Sequence, residues 1–332
     1  MRKAPKAALA LGVGASFLAA GSYASFRLAF GREAKNPLHF LERKRGPAPW
    51  EVYREKFRYA GEELKALPHE DVSITSFDGL RLHGRFWPAG ENAQRTILCV
   101  HGYRSGSLWD FALAALYFLD LGCNLLLIDQ RSQGESEGQY ITFGVHESRD
   151  CRDWACWLEE RFGKDHPIYL DGVSMGAATV LLSVQHGLPE SVKGIIADCG
   201  YTQPWEMLDC ALRRNFEVPG AVVRPLLRVV DVWCRALGKF SLYGTDTTEA
   251  VRQAKMPILF AHGVKDSLVP YTMSVRNYEA SSGGGGELFL ADEADHGISF
   301  LIAPKAYRER LEKLFGCWEP AAGEKEPHTI EA

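Results

Sequence analysis

From residue 96 to residue 315 the chain repeats one unit: a short run of Ile, Leu and Val without polar alternation, then a stretch of helical period. Such runs suit strands covered on both faces, as helices cover a parallel sheet. Residues 96–100, 124–128, 168–170, 194–197, 258–261 and 288–290 read as strands. Residues 108–121, 145–162, 175–186, 270–280 and 298–315 read as helices. Ahead of them, residues 72–75 and 80–87 alternate about the turn pair Asp78-Gly79, which is the pattern of an antiparallel hairpin at a sheet edge. The expected fold class is α/β, a mostly parallel sheet flanked by helices.

The series is broken once. Residues 201–255 are rich in Trp, Leu, Val and Arg and lie between two sheet strands, so they must leave the sheet and return. They are expected to form a helical lid over the carboxyl edge, where open α/β sheets place their ligands. Trp50 to Leu67, with Trp50, Tyr53, Phe57, Leu64 and Leu67 near helical spacing, reads as an amphipathic lead-in helix docked on the domain. The division that follows is 1–30 an N-terminal signal or anchor, 31–70 linker and lead-in helix, 71–318 the α/β domain with its lid, and 319–332 a polar tail. The glycine run 283–286 precedes a strand and lacks the Lys-Ser/Thr of a phosphate loop, so it reads as a flexible connection.

Composition excludes other classes. The 332 residues are 46% hydrophobic and 24% charged, which rules out a disordered or fibrous chain. A net charge of −4 gives no basic bias toward nucleic acid, and none is expected as a partner. The 8 cysteines form no CxxC or metal-type spacing; Cys99, Cys123 and Cys199 sit in or beside apolar runs and read as buried thiols, suited to a reducing compartment. Residues 7–26 carry no charge and follow Arg2, Lys3 and Lys6, a length that can cross a bilayer. Cleavage after Ala24 would make the protein secreted. An uncleaved anchor with the domain on the cytoplasmic side reconciles the segment with the thiols. The basic residues Arg27 to Arg45 would then lie on anionic lipid, and deletion to about Arg32 would release an active soluble domain. Oligomeric state is not legible.

The chemistry centres on Gly172-Val173-Ser174-Met175-Gly176, which follows a strand and opens a helix. A serine on that sharp turn is exposed at the sheet edge, and glycines keep side chains out of the corner. Its hydroxyl needs a base. His296, in Ala294-Asp295-His296-Gly297, lies past the last strand at the same edge. His101 reads as support for the loop after the strand ending at Val100, and His262 as a packed strand-end residue. Asp266, at the carboxyl end of a strand, can hold the imidazole and stabilise its cation; Asp198 is the serious alternative, and Asp292 and Asp295 also compete. An oxyanion would be met by the backbone N–H of Met175 and that of Tyr103, side-chain identity being secondary. Tyr201, Trp205, Trp233 and Tyr243 either line an acyl pocket or form the lid's own core.

Together, His101-Gly102, the loop from Asp129 to Gly138, the serine elbow, His262-Gly263 with Asp266, and Asp295-His296-Gly297 resemble the α/β-hydrolase superfamily, in particular bacterial esterase-like members with an N-terminal apolar segment. The resemblance covers about residues 72–315 and implies an eight-stranded, mostly parallel sheet and a site with no metal or cofactor. One loop departs from the usual Arg-Gly-His-Gly, with Arg131-Ser132-Gln133-Gly134 in its place. The expected function is hydrolysis of a small-molecule acyl ester by Ser174 with His296 and Asp266; acyl transfer or peptide cleavage by the same residues, and a non-catalytic binding protein on this fold, are the alternatives.

Overall fold

The computed structural model describes residues 19–34, 49–90, 93–281 and 285–316. The strands are β1 (Glu70–Thr75), β2 (Arg81–Trp87), β3 (Arg95–Val100), β4 (Cys123–Ile128), β5 (Ile168–Val173), β6 (Val192–Asp198), β7 (Ile258–Gly263) and β8 (Glu287–Ala291). They form one eight-stranded sheet in the order β1-β2-β4-β3-β5-β6-β7-β8. Strand β2 pairs antiparallel with β1 and β4, and every other pairing is parallel. The hairpin thus lies at the edge, and the sheet is mostly parallel, as expected.

The helices are α1 (residues 19–30), α2 (Arg54–Ala66), α3 (Ser107–Asp120), α4 (Glu147–Phe162), α5 (Met175–Ser183), α6 (Pro204–Phe216), α7 (Gly220–Trp233), α8 (Thr247–Val251), α9 (Thr272–Ala280), α10 (Ser299–Ile302) and α11 (Pro304–Gly316). Alternation along the buried strands sorts them into two layers. Ile97, Cys99, Leu125 and Leu127 pack with Phe57, Phe111, Phe118 and Leu311 on one face. Leu98, Val100, Leu126 and Ile128 pack with Trp154, Leu158, Val180 and Leu181 on the other. The lead-in helix is α2, preceded by a 3-10 turn, and it docks through Phe57, Ala60 and Leu64.

Two expectations about extent are corrected. Strands β5 and β6 run past Leu170 and Ala197, to Val173 and Asp198, and carry the carboxyls of Asp171 and Asp198 in buried positions. The last helix is two: Pro304 forces Ala303 to φ −127° and ψ 56°, outside the helical region, so α10 stops and α11 restarts. At the other end, the described part of α1 covers residues 19–30, about three turns. Among the described residues no helix is long and apolar enough to cross a membrane. The described end of the uncharged segment and the residues just after it are docked: Ser22, Phe26 and Phe30 are buried against Tyr140, Phe143, Trp233 and Phe240. A boundary after residue 30 therefore cuts a packed unit, and a chain cut near Arg32 would lose two core phenylalanines. Residues 7–18, the linker 35–48 with its basic cluster, Gly283 and Gly284, and the tail from residue 317 lie outside the described residues.

Between β6 and β7 stand α6, α7, a π-turn at Cys234–Gly238, and α8. The apolar faces of α6, α7 and the π-turn close a third cluster that also takes in Phe26, Phe30, Ile141, Phe143 and Met175. The insertion and α1 therefore share one core above the carboxyl edge of the sheet.

Candidate active site

Parallel pairing brings the strand ends level. Val173 of β5 lies beside Asp198 of β6, and Asp198 beside Ala261 of β7. Ser174 follows at once, its N–H bonded to the Asp198 carbonyl at 2.8 Å. Its backbone has φ 58° and ψ −114°, a region that costs a non-glycine residue on the order of 1–3 kcal/mol. The surroundings enforce it. A Cβ at Gly172 would stand 2.3 Å from the Gly176 carbonyl oxygen, and one at Gly176 1.8 Å from that of Val100. Both glycines are there so that the turn and β3 can touch.

Ser174 Oγ lies 2.9 Å from Nε2 of His296, whose Nδ1 lies 2.7 Å from Oδ2 of Asp266. The loop carrying His296 is fixed by Asp295, which accepts the N–H groups of His296 at 2.6 Å and of Ser267 at 2.8 Å. Asp292 is exposed. Asp266 is saturated with donors: Oδ1 accepts from the N–H groups of Leu268 and Val269, and Oδ2 from His296 and from His262 Nε2 at 3.0 Å. Burial opposes its ionisation, but the His296 charge and these bonds prevail and hold the carboxyl well below the usual carboxylate range. Burial likewise disfavours the His296 imidazolium, yet the Asp266 charge outweighs it and lifts the imidazole well above an ordinary histidine.

The second carboxylate at a strand end is placed differently. Asp198 accepts the Ser299 hydroxyl at 3.1 Å, and burial pushes it above the carboxylate range. His296 Nδ1 is committed to Asp266, so the two aspartates are not interchangeable here.

Two neighbours were missed by sequence reasoning. His262 is a strand-end residue, but its ring donates to the Asp266 oxygen that serves His296, while its Nδ1 accepts the Ser274 hydroxyl at 2.7 Å. The spacing of four residues between His262 and Asp266 was the available signal. Cys199 is buried as expected, yet it has φ 50° and its Sγ lies 4.0 Å from His296 Nε2. Burial raises its thiol to about 11, so it stays protonated near neutrality. The His101 ring is turned to the loop after β4, its Nε2 accepting the Gln130 N–H at 3.1 Å.

Met175 begins α5, whose first intrahelical bond is Ala178 N–H to the Ser174 carbonyl, so the Met175 N–H precedes the ladder. In the loop after β3, the Gly102 N–H goes to Asp110 and the Arg104 N–H to Gln133, with the Tyr103 N–H between them. The four aromatic residues of the insertion belong to its shared core. Tyr201 bonds the Phe143 carbonyl, Trp205 stacks on Tyr243 and bonds Gln203, and Trp233 bonds Ser22 of α1. Among the described residues two groups bring three possible metal ligands together, Cys199 with Asp266 and His296, and His83 with Asp129 and Glu135. In the first the carboxylate and imidazole are spent on each other; in the second Arg85 already bonds Glu135 and lies beside Asp129.

The family profile described as alpha/beta hydrolase fold matches residues 95–252. The uncharacterized protein YqkD of Bacillus subtilis is 26% identical over 253 residues, 76% of this chain and 81% of its own. Among solved structures, the Pyrococcus furiosus esterase Pf2001 superposes with a TM-score of 0.61 at 21% identity, covering 77% of this chain and 95% of that one. The esterase EaEST of Exiguobacterium antarcticum superposes with a TM-score of 0.54 at 17% identity, covering 74% of this chain and 98% of that one.

Proposed function

This chain has the α/β-hydrolase fold, and on that premise we propose that it is a serine hydrolase cleaving small carboxylic esters through an acyl-enzyme. The observation that carries the reading is the unbroken series from Ser174 Oγ to His296 at 2.9 Å and from His296 to Asp266 at 2.7 Å, set on a strained turn. Two similar folds bear the name esterase, which favours an ester over an amide.

In this mechanism Ser174 Oγ attacks the ester carbonyl carbon as its proton passes to His296 Nε2. The carbonyl oxygen becomes an oxyanion, met by the N–H groups of Met175 and Tyr103. Collapse breaks the bond to the alcohol, which leaves with the proton from His296. Water then attacks the acyl group, gives its proton to the same nitrogen, and the acid departs as Ser174 recovers its hydrogen. Asp266 holds the imidazole in the tautomer that presents a bare Nε2 and stabilises the imidazolium between steps. The insertion at residues 201–255 acts as the lid bounding the acyl group.

Labelling with a fluorophosphonate tests the reading, since it requires an activated serine. The full chain is expected to label, and Ser174→Ala to lose both labelling and at least about 10³-fold in kcat on short-chain esters. Undiminished turnover by the S174A protein would remove the proposal.

A further inference from the structure

The C-terminus of α1 is closed by a residue from another part of the chain. Nη2 of Arg104 donates to the carbonyls of Gly31 at 2.6 Å and Leu28 at 3.3 Å. Nη1 donates to Ala34 and, at 3.5 Å, to Arg32. The Nε–H is spent on Tyr103 Oη at 2.7 Å, and that hydroxyl in turn donates to the Ala29 carbonyl at 2.7 Å. Two adjacent residues thus reach five carbonyls at or just past a helix end, where unpaired carbonyls and the helix dipole favour a cation. The same segment is tied to a second loop: Arg32 donates to the Gly134 and Ser136 carbonyls, and Phe30 accepts the Ile141 N–H at 2.8 Å. There is little slack, since a Cβ on Gly31 would stand 2.6 Å from the Arg27 carbonyl oxygen.

Both residues of this clamp lie in the loop after β3. Tyr103 carries the N–H proposed to meet the oxyanion. Arg104 has φ 51°, and its own N–H is pinned to Gln133 at 2.6 Å. A guanidinium with five donors in a fixed fork is well suited to hold such a loop, because it fixes orientation as well as distance. An oxyanion donor works only when it is aimed before reaction, and misplacement by about 1 Å can cost on the order of 10²-fold.

We infer that Arg104 is a positioning residue of the proposed hydrolase: by closing the C-terminus of α1 it fixes the direction of the Tyr103 N–H. The N-terminal helix is then a working part of the site. The inference rests on the serine-hydrolase reading.

The test compares full-length Arg104→Ala and Arg104→Lys with the unaltered chain. Two quantities are read below the melting temperature: kcat and KM on a short-chain ester, and affinity for a trifluoromethyl ketone, whose adduct with serine carries an oxyanion. R104A is expected to lose about 10- to 100-fold in kcat with KM changed little, and ketone affinity is expected to fall in parallel. R104K, which can reach only some of the carbonyls, should recover part of both. If R104A melts lower but keeps kcat and ketone affinity within twofold, Arg104 only stabilises and the inference is overturned. Should R104A fail to fold, Tyr103→Phe removes the hydroxyl link alone and should still cost about threefold or more in both readouts; no change would overturn the inference. Fluorophosphonate labelling separates the two readings. An unaltered chain that does not label defeats the serine-hydrolase proposal itself. Labelling of R104A as fast as the unaltered chain defeats only the role given to Arg104.

Discussion

At the carboxyl edge of the sheet the chemical residues hang on backbone; in the cover above it, position is set by side chains. Ser174 is held by strand register, by its bond to the Asp198 carbonyl and by two glycines that let β5, α5 and β3 touch. Asp266 is held by backbone N–H groups two and three residues on. In the cover, the rings of Phe26 and Phe30 on α1 meet Tyr140 and Phe143 of the loop before α4 and Phe240 of the insertion, and Trp233 of the insertion bonds Ser22. A backbone frame tolerates almost no movement, because each displacement breaks a ladder bond. An aromatic cluster can be weakened by degrees, and it joins segments far apart in sequence.

The first way to break that contrast is at the edge. Asp266→Asn should lower kcat by on the order of 10² to 10⁴, whereas Asp198→Asn should cost less than about tenfold. The reverse order would move the acid to Asp198. The pH profile gives an independent sign. In the proposed mechanism activity needs neutral His296, and the Asp266 charge raises its basicity, so the acid limb of kcat/KM is expected above that of an ordinary histidine. Removing the charge should shift the limb to lower pH; a limb that stays in place would show that Asp266 does not act on His296.

A smaller effect is expected at His262. Replacement by Phe removes a donor from the Asp266 carboxylate without removing its charge, at a cost of about tenfold in kcat, the worth of one good hydrogen bond. Freed of that donor, the carboxylate pulls harder on His296, so the acid limb should move to higher pH, opposite to D266N. Matching shifts in the two variants would refute this chain of influence.

The smallest effect on turnover should come from the interior of the cover, away from α1's contact with Arg104. Leu227, buried in α7, lies in the shared core. Leu227→Ala should cost about 2–5 kcal/mol of stability in denaturant unfolding while leaving kcat/KM of the folded protein within about threefold. A larger loss of turnover at unchanged stability would mean that the insertion takes part in the chemistry directly.

Sequence alone determined the strand series and the turn at Ser174, because each is written in residues close together in the chain. Apolar runs mark covered strands, glycine marks the crowded corner, and parallel pairing puts every strand end on the same side. What tertiary structure decided are contacts between distant segments. The apolar character of residues 19–30 is equally suited to lipid and to a protein core, and only the presence of Phe143, Trp233 and Phe240 beside it makes it a docked helix. That Asp266 and not Asp198 faces His296 Nδ1 is a matter of loop direction that no local signal encodes. The closing of α1 by Arg104 joins residues more than 70 positions apart. An arginine carries no mark in sequence of which carbonyls it will meet, since its reach exceeds its neighbourhood and its partners are backbone atoms that every residue shares.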